Sequence, residues 1–338
     1  MSADTRPVGA RTASASRSAN VVLPAASGPS TATNTRSWDG PSMSSDTRST
    51  SSTPACCPAS TASSTSDPAP TAQFLREDVA VVQAHRQSSY AVRVDWGLDG
   101  ATAIAEDADV AVVVDVLSFT TTLSVALDVG TTVLPYRWDD DSAAAYAQAQ
   151  DATLAVGRSA AGPGQISLSP VTLRAATAPD RLVLPSPNGS TICWHLAAIT
   201  AVCLGASLRN ATAVCDWVAS HHDPATTTVA VVAAGERWAS AGLRPAVEDL
   251  WGAGLVVDKL ARLGWAARSP EASAARAAWL AIADRVPEAL LACASGRELV
   301  DKGYRADVEI AAEVDTSQSV PLLRGLTFRH ARTDEVLQ

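Results

Sequence analysis

The sequence predicts an α/β fold with three layers, in which helices cover both faces of a largely parallel or mixed sheet. From about residue 79 to residue 330, short β-branched runs alternate with alanine-rich stretches of helical character. Strand–helix alternation of this kind favours parallel pairing. Several of the runs are apolar at every position, as expected of strands that are covered on both faces. We therefore predict one α/β domain over residues 79–330.

The elements follow one another in a regular order. The predicted strands are Tyr90–Val94, Val110–Val116, Arg181–Leu184, Ala201–Leu204 and Thr228–Ala233. The predicted helices are Thr120–Leu127, Ser142–Gln150, Thr191–Ala198, Asn210–His221 and Val247–Leu263, followed by a helical C-terminal section at Glu271–Ala294 and Arg297–Val314. Hydroxyl and Asn side chains at several helix starts suit N-caps, and acids in a first turn suit the helix dipole.

Residues 1–78 differ from the rest in composition, being rich in Ser, Thr, Ala and Pro. Residues 44–71 hold almost no large apolar side chain, so ordering them would cost entropy that burial could not offset. We expect a disordered tail. Two alternatives stay open: a start codon assigned too far upstream in a GC-rich reading frame, and a transit peptide.

Composition excludes several classes of protein. The formal net charge is −9 and the pI is near 5.0, which is the opposite of a nucleic-acid footprint. The six cysteines include no Cys-x-x-Cys pair, so neither a zinc site nor a disulfide framework is predicted. No apolar run approaches the ~18 residues of a membrane helix, and no secretion signal is present. We predict a cytoplasmic protein that binds neither nucleic acid nor membrane.

Ligands of open parallel sheets bind beyond the carboxyl ends of the strands, and polar residues collect there in this chain. Asp115 ends a valine-rich strand, where a carboxylate suits a hard cation such as Mg²⁺. The hydroxyls of Thr120, Thr121 and Thr122 suit either helix capping or phosphate binding. A nucleophilic-aspartate phosphatase of the haloacid dehalogenase type would need a second acid two residues after Asp115. Leu117 stands there, which excludes that chemistry.

The turn after the third predicted strand is the most informative stretch. Asn188, Gly189, Ser190 and Thr191 follow a Pro-rich bend and open a helix. Free backbone N–H groups and the helix dipole make such a start a site for an anion, although an ordinary strand-to-helix turn has the same composition. The lysine of a nucleotide-binding P-loop is missing, so a nucleoside triphosphate is not predicted.

Two further strand ends carry charged residues. Arg209 follows the fourth predicted strand and could clamp a phosphate or sulfonate. Glu248 and Asp249 open the long helix after the fifth strand, close to Glu236. Acids at a helix start suit the dipole in any case, but together these three predict a carboxylate cluster for Mg²⁺.

Taken in order, these segments resemble the 2-phosphosulfolactate phosphatase family of the coenzyme M pathway, over Tyr90 to Leu323. The matching segments are Asp115-Val-Leu-Ser-Phe-Thr-Thr-Thr122, Ser169-Pro170, Asn188-Gly189-Ser190, Ser207-Leu-Arg-Asn210, Ala234-Gly235, Glu248-Asp-Leu-Trp-Gly-Ala-Gly254, Gly296-Arg-Glu-Leu-Val-Asp-Lys-Gly303 and Asp307. No one motif is decisive, but their order and spacing over most of a domain are specific.

The resemblance implies a phosphoric monoester hydrolase that uses Mg²⁺ to convert 2-phospho-3-sulfolactate to 3-sulfolactate and phosphate. It implies that Asp115, with Glu248 or Asp249, holds the metal and carries the chemistry, while the two segments 120–122 and 188–191 cradle the phosphate. Arg158 and Arg209 are further predicted substrate ligands. The expected partner is a small anionic phosphate ester, and a homodimer is a further expectation.

Three departures from the family pattern concern its charged and polar groups. Ser118 stands where the family has an arginine, the family's Gly-Glu-Arg is reduced to Gly157-Arg158, and Leu168 replaces the Asn of Asn-Ser-Pro. Arg158, Arg209 or residues 236–237 could compensate. Two hypotheses therefore stay open: a phosphatase, and a non-catalytic protein of the same fold that binds an anionic phosphometabolite.

Overall fold

A computed structural model describes residues 82–137 and 142–331, and all structural statements concern these residues. The expectation of a disordered tail over residues 1–78 lies outside them. Among the described residues, no helix combines the length and apolar character that crossing a bilayer requires. Their four cysteines are buried free thiols.

Eleven strands and eleven α-helices make up the described part of the chain. The strands are β1 Val92–Trp96, β2 Val110–Val114, β3 Thr132–Tyr136, β4 Thr153–Leu154, β5 Arg181–Pro185, β6 Val202–Ala206, β7 Val229–Ala233, β8 Glu236–Arg237, β9 Leu243–Arg244, β10 Pro321–Arg324 and β11 Thr327–His330. The helices are α1 Gly97–Ala105, α2 Phe119–Asp128, α3 Ser142–Ala149, α4 Pro170–Ala175, α5 Gly189–Leu196, α6 Ala211–His221, α7 Val247–Arg262, α8 Pro270–Leu280, α9 Val286–Ala292, α10 Ala294–Asp301 and α11 Arg305–Ala311.

Nine strands form one mixed sheet in the order β1-β7-β2-β6-β10-β11-β3-β5-β4. Strands β1, β7, β2 and β6 are parallel to one another, and so are β3, β5 and β4. The hairpin β10–β11 joins the two groups through antiparallel pairings on both sides. The remaining strands, β8 and β9, form a separate two-stranded hairpin beyond the end of β7.

The core lies on both faces of this sheet, and strand β2 shows why. Val110, Val112 and Val114 point into one apolar cluster, while the alternate residues Ala111 and Val113 belong to the other. Successive side chains of a strand point to opposite faces, so a run of apolar residues without alternation requires helices on both sides. Helices α6, α7 and α8 contribute to the first cluster, and α1, α2 and α5 to the second. The predicted three-layer α/β fold is confirmed.

The sequence prediction located five strands of the large sheet and missed four. Strands β3 and β4 and the hairpin β10–β11 were not predicted, although β3 and β10 lie inside the sheet. The predicted C-terminal helical section is present as the four shorter helices α8 to α11. Runs of four or five residues that include Pro135 or Pro321 carry a weak strand pattern, and pairing with neighbours distant in sequence supplies what the local pattern lacks.

Candidate active site

Four carboxyl groups lie in one region, at the carboxyl end of the parallel strands β2 and β7. Asp115 directly follows β2, Glu236 lies on β8 just after β7, and Glu248 and Asp249 form the first turn of α7. Strands β2 and β7 are neighbours in register, so their ends deliver these residues to one place. The four charges act on one another: Asp115, Glu248 and Glu236 all raise the pKa of Asp249. We call these four residues the acidic group.

Asp115 is buried and held by backbone amides. Its Oδ1 accepts a hydrogen bond from the Phe119 N–H at 3.1 Å, and its Oδ2 accepts one from the Gly189 N–H at 3.0 Å. Loss of solvent raises the pKa of Asp115 to about 6, with the charge of Glu248 acting in the same direction. The two amides and the cation of Arg158 oppose that rise.

Asp249 ties the two strand ends together. Its carboxylate accepts from the Val116 N–H at 2.7 Å and from the Gly235 N–H at 2.8 Å. Burial, with the charges of Asp115 and Glu248, raises its pKa well above the usual range. Both of its oxygens are thus engaged in holding the end of β2 beside the end of β7.

Glu248 differs from its neighbour in having an oxygen without a partner. The side chain is 1% exposed, and Oε2 is buried with no hydrogen bond from any described residue. The Cys293 thiol lies next to it: burial raises the pKa of that thiol to about 12, and the charge of Glu248 adds to the rise. A buried carboxylate oxygen without a donor costs free energy, which a bound cation would offset.

Glu236 is the most accessible member of the acidic group. Burial, followed by the charges of Asp115 and Glu248, raises its pKa to about 7. Its Oε2 accepts a hydrogen bond from the Asn188 side-chain amide at 3.3 Å. The sequence analysis included Glu236 in the predicted carboxylate cluster but gave it no role of its own.

The predicted threonines mostly satisfy backbone groups. The Thr120 hydroxyl donates to the Asp115 carbonyl at 2.7 Å and accepts from the Asp115 N–H at 3.0 Å. Thr122 donates to the Leu168 carbonyl at 3.1 Å. Thr121 Oγ1 is buried without a partner among the described residues. Thr120 therefore links the first turn of α2 to the end of β2, helix α2 has no side-chain cap, and phosphate binding by these hydroxyls stays a prediction.

The predicted anion site at the start of α5 holds an anion of the protein itself. The Gly189 N–H donates to the Asp115 carboxylate, as described above. Ser190 donates to the Leu184 carbonyl at 2.8 Å, and Thr191 to the Ser186 carbonyl at 3.5 Å. Asn188 bridges Glu236 and the Arg237 guanidinium. The helix start thus positions the acidic group, and direct contact of these residues with phosphate stays a prediction.

The two predicted arginines have different environments. Arg158 donates to Asp307 Oδ2 at 2.8 Å and to the Ser118 hydroxyl, and it lines a cleft beside the acidic group. Arg209 is buried in an ionic cluster with Asp128 and Glu313, each at 3.2 Å. The structure therefore brings Arg158 to the site, but it gives Arg209 a packing role and does not place it among the residues that line the cleft.

The cleft has a volume of about 390 Å³ and an excess of positive charge. Its charged residues are Arg158, Glu236, Arg237, Arg244, Glu298 and Lys302. Ser295 and Tyr304 are further polar lining residues. Four cations in one cleft of a chain with net charge −9 indicate an anionic ligand. The sequence missed Arg244, Ser295 and Lys302, although the family-like segment 296–303 pointed to this part of the chain.

The acidic group fits a hard divalent cation in its chemistry. Its donors are carboxylate oxygens, Glu248 Oε2 has no partner, and none of its members forms an ion pair with a described Lys or Arg. Within the described ranges, however, no three His, Cys, Asp or Glu residues are close enough to form a ready metal site. The donor type therefore favours Mg²⁺, and the ligand geometry is not preformed.

The acidic group should make the metal-free protein less stable as the pH rises from about 4 to 7. The pKa values of Asp115 and Glu236 are raised to about 6 and about 7, so the folded state binds more protons than the unfolded state in this range. Unfolding free energy then falls with pH, by at most about 3 kcal/mol for each group. Urea unfolding in EDTA at pH 4.5 to 7.5 measures this slope.

The Glu236→Gln variant is the control for that slope. It should remove the part of the slope between pH 4.5 and 7 that Glu236 causes. Burial lowers the pKa of His222, which acts in the opposite sense near pH 6.5, but this contribution is the same in both proteins. If the unfolding free energy of the variant depended on pH as that of the wild type does, Glu236 would not cause this part of the slope.

Comparisons with known proteins place the chain in one family. A model of the 2-phosphosulpholactate phosphatase family matches residues 100–325. A probable 2-phosphosulfolactate phosphatase of Thermus thermophilus is 34% identical over 220 residues, which are 64% of this chain and 89% of that protein. A second protein of the same description, from Deinococcus radiodurans, is 31% identical over 225 residues, 64% of this chain and 88% of its own.

Proposed function

The chain belongs to the 2-phosphosulpholactate phosphatase family, and from that premise we propose that it hydrolyses 2-phospho-3-sulfolactate to 3-sulfolactate and phosphate. In this reaction water attacks phosphorus and the ester P–O bond breaks. The attacking water loses a proton, and the departing alkoxide oxygen gains one. The observation that carries the proposal is the contact between a buried acidic group and a cationic cleft, with Glu236 common to both.

Glu248, with Asp115 and Asp249, would hold Mg²⁺, which would supply positive charge to the phosphoryl oxygens and lower the pKa of a bound water. The backbone amides of Phe119 and Gly189 fix the orientation of Asp115 in the protein without an ion. The Val116 and Gly235 amides do the same for Asp249. Because these donors belong to strand and helix ends, the fold fixes the orientation of Asp115 and Asp249, although the set of metal ligands is not preformed.

Glu236 suits proton transfer at the ester oxygen. In the protein without a bound metal, burial raises its pKa to about 7, so a fraction of its carboxyl groups is protonated at neutral pH. It lines the cleft, so a bound ester can reach it. We assign it the role of the acid that protonates the departing oxygen, because among the four acids it is the one that lines the cleft.

Metal binding is the most direct test. Glu248→Gln should weaken Mg²⁺ binding at least tenfold by calorimetry, because it replaces the unpartnered carboxylate, and each charged interaction is worth about 1.5–3 kcal/mol. Phosphate release from 2-phospho-3-sulfolactate should fall at least a hundredfold in EDTA. The matched control is Glu309→Gln, at an exposed position on α11. It should leave both the Mg²⁺ affinity and the rate of phosphate release unchanged.

The same assays separate the second hypothesis. A wild-type protein that binds the ester but releases no phosphate, with or without Mg²⁺, would be a binding protein for an anionic metabolite. A cytoplasmic location and a homodimeric state remain predictions from the sequence.

A further inference from the structure

The four cations of the cleft are not equivalent, because two are neutralised and two are not. Arg158 forms an ion pair with Asp307 at 2.8 Å, and Lys302 forms one with Glu298 at 2.6 Å. Arg237 and Arg244 have no carboxylate partner within 4 Å among the described residues. Both belong to the hairpin β8–β9. A cation without a counter-ion in a cleft retains its charge for a ligand.

Arg244 is held in place by neutral groups. One guanidinium nitrogen donates to the Ser295 hydroxyl at 2.9 Å, and the guanidinium lies 5.8 Å from the centre of the Trp238 ring. Ser295 is itself 4% exposed, so it is a fixed partner on helix α10. These contacts position the guanidinium without neutralising it, and they use only one of its five N–H donors.

The hairpin places Arg244 opposite an acid that the proposed mechanism uses. Glu236 and Arg244 are directly paired across β8 and β9, and both line the cleft. Paired residues of an antiparallel ladder lie on the same face, with Cβ atoms about 5 Å apart. A ligand whose phosphate faces the acidic group through Glu236 therefore has Arg244 within reach of its other end.

Arg237 has a different place on the same hairpin. It donates to the Asn188 side-chain oxygen at 3.2 Å and to the Pro187 carbonyl at 3.0 Å. It lines both the cationic cleft and a second cleft of about 290 Å³ near Trp96. Two of its nitrogens are thus directed at the turn before α5, and its side chain forms part of the rim. Arg244 is the better placed of the two for a bound group.

We propose that Arg244, positioned by Ser295, forms the subsite for the sulfonate of the substrate. The inference rests on the proposed function, since it takes the ligand to be a phosphate ester with a second strong anion. A guanidinium offers parallel N–H donors that match a pair of sulfonate oxygens.

Two substrates that differ only in the sulfonate test this subsite. Steady-state kinetics of the Mg²⁺-loaded enzyme would compare 2-phospho-3-sulfolactate with 2-phospholactate. Arg244→Gln should raise KM for the sulfonated ester at least tenfold, with kcat within threefold, and should change KM for 2-phospholactate less than twofold. Arg244→Lys keeps the charge but loses the parallel N–H donors of the guanidinium. Its KM for the sulfonated ester should lie between the values of the wild type and of Arg244→Gln. Arg262→Gln, an exposed arginine at the end of α7, is the matched control.

Other outcomes would overturn the inference. Equal KM increases for both esters would place Arg244 at the phosphate or carboxylate, and unchanged KM for both would remove it from the site. A fall in kcat alone would make it a residue of the chemical step. If the wild type releases no phosphate, the proposed function fails, and calorimetry with 3-sulfolactate and lactate still tests the subsite: Arg244→Gln should then weaken only 3-sulfolactate binding, again at least tenfold.

Discussion

Asp115→Asn should lower kcat/KM for phosphate release by about a thousandfold while leaving the fold intact. The carboxylate is the charged group at the end of β2, and its orientation is set by two backbone amides rather than by mobile side chains. An Asn side chain fills the same volume but has no charge. The loss should therefore appear in kcat/KM and in Mg²⁺ affinity together.

The stability of this variant should change little, because two effects oppose each other. One Asn atom is an NH₂ group that faces an amide donor, which costs about 1–3 kcal/mol. Removing a buried charge whose pKa is raised to about 6 returns at most about 3 kcal/mol at pH 7. The melting temperature should shift by less than about 5 °C.

An exposed aspartate offers the control for Asp115. Asp223→Asn also removes a carboxylate that accepts a backbone N–H, that of Ala225, but in a surface turn. It should leave turnover unchanged. Near-full activity of Asp115→Asn in a folded protein would show that Asp115 is structural and that the site has been misplaced.

Gly189→Ala should affect both stability and turnover. A Cβ atom at this position would lie 2.4 Å from Phe119 Cδ1 and 2.7 Å from Asp115 Oδ2. Phe119 is fully buried and packs near Phe328, with ring centres 6.3 Å apart, so it has no room to withdraw. Helix α5 must therefore move away from α2. We expect a loss of about 1–3 kcal/mol in unfolding free energy.

The activity of Gly189→Ala should fall at least a hundredfold, because the same movement breaks the amide hydrogen bond that orients Asp115. Urea unfolding and kcat/KM measure the two effects. Gly162→Ala is the control: its Cβ would meet only the flexible Gln165 side chain, at 3.4 Å, and both quantities should stay near those of the wild type. Wild-type turnover in Gly189→Ala would show that the contact between α5 and Asp115 has no part in catalysis.

The sequence by itself determined the fold class and much of the acidic group. A continuous apolar run such as Val110–Val114 can be recognised in the sequence, because a strand covered on both faces tolerates polar side chains only at its ends. Asp115, Glu248 and Asp249 could thus be assigned to strand or helix ends without knowing any contact. The neighbouring positions of β2 and β7 then brought these carboxylates together.

Tertiary structure decided how the second half of the sheet reaches this site. Three successive antiparallel pairings, β6–β10, β10–β11 and β11–β3, reverse the direction of β3 and β5 relative to β2 along the sheet. In a parallel sheet, ligands bind at one common edge, but β2 and β5 run in opposite directions. That rule therefore does not predict a contact between Gly189, which follows β5, and Asp115, which follows β2. The packing of α5 against α1 and β2 brings them together.

The cationic cleft was also decided by contacts between segments that are distant in sequence. Arg158 meets Asp307 across 149 positions, and Arg244 meets Ser295 across 51. Arg209, which local sequence made a candidate ligand, is instead drawn into an ion cluster with Asp128 and Glu313. Hydrophobic periodicity indicates which residues lie in a strand or a helix. The direction of a charged side chain, however, depends on the opposite charge that the folded chain brings near it. No local sequence pattern contains that information.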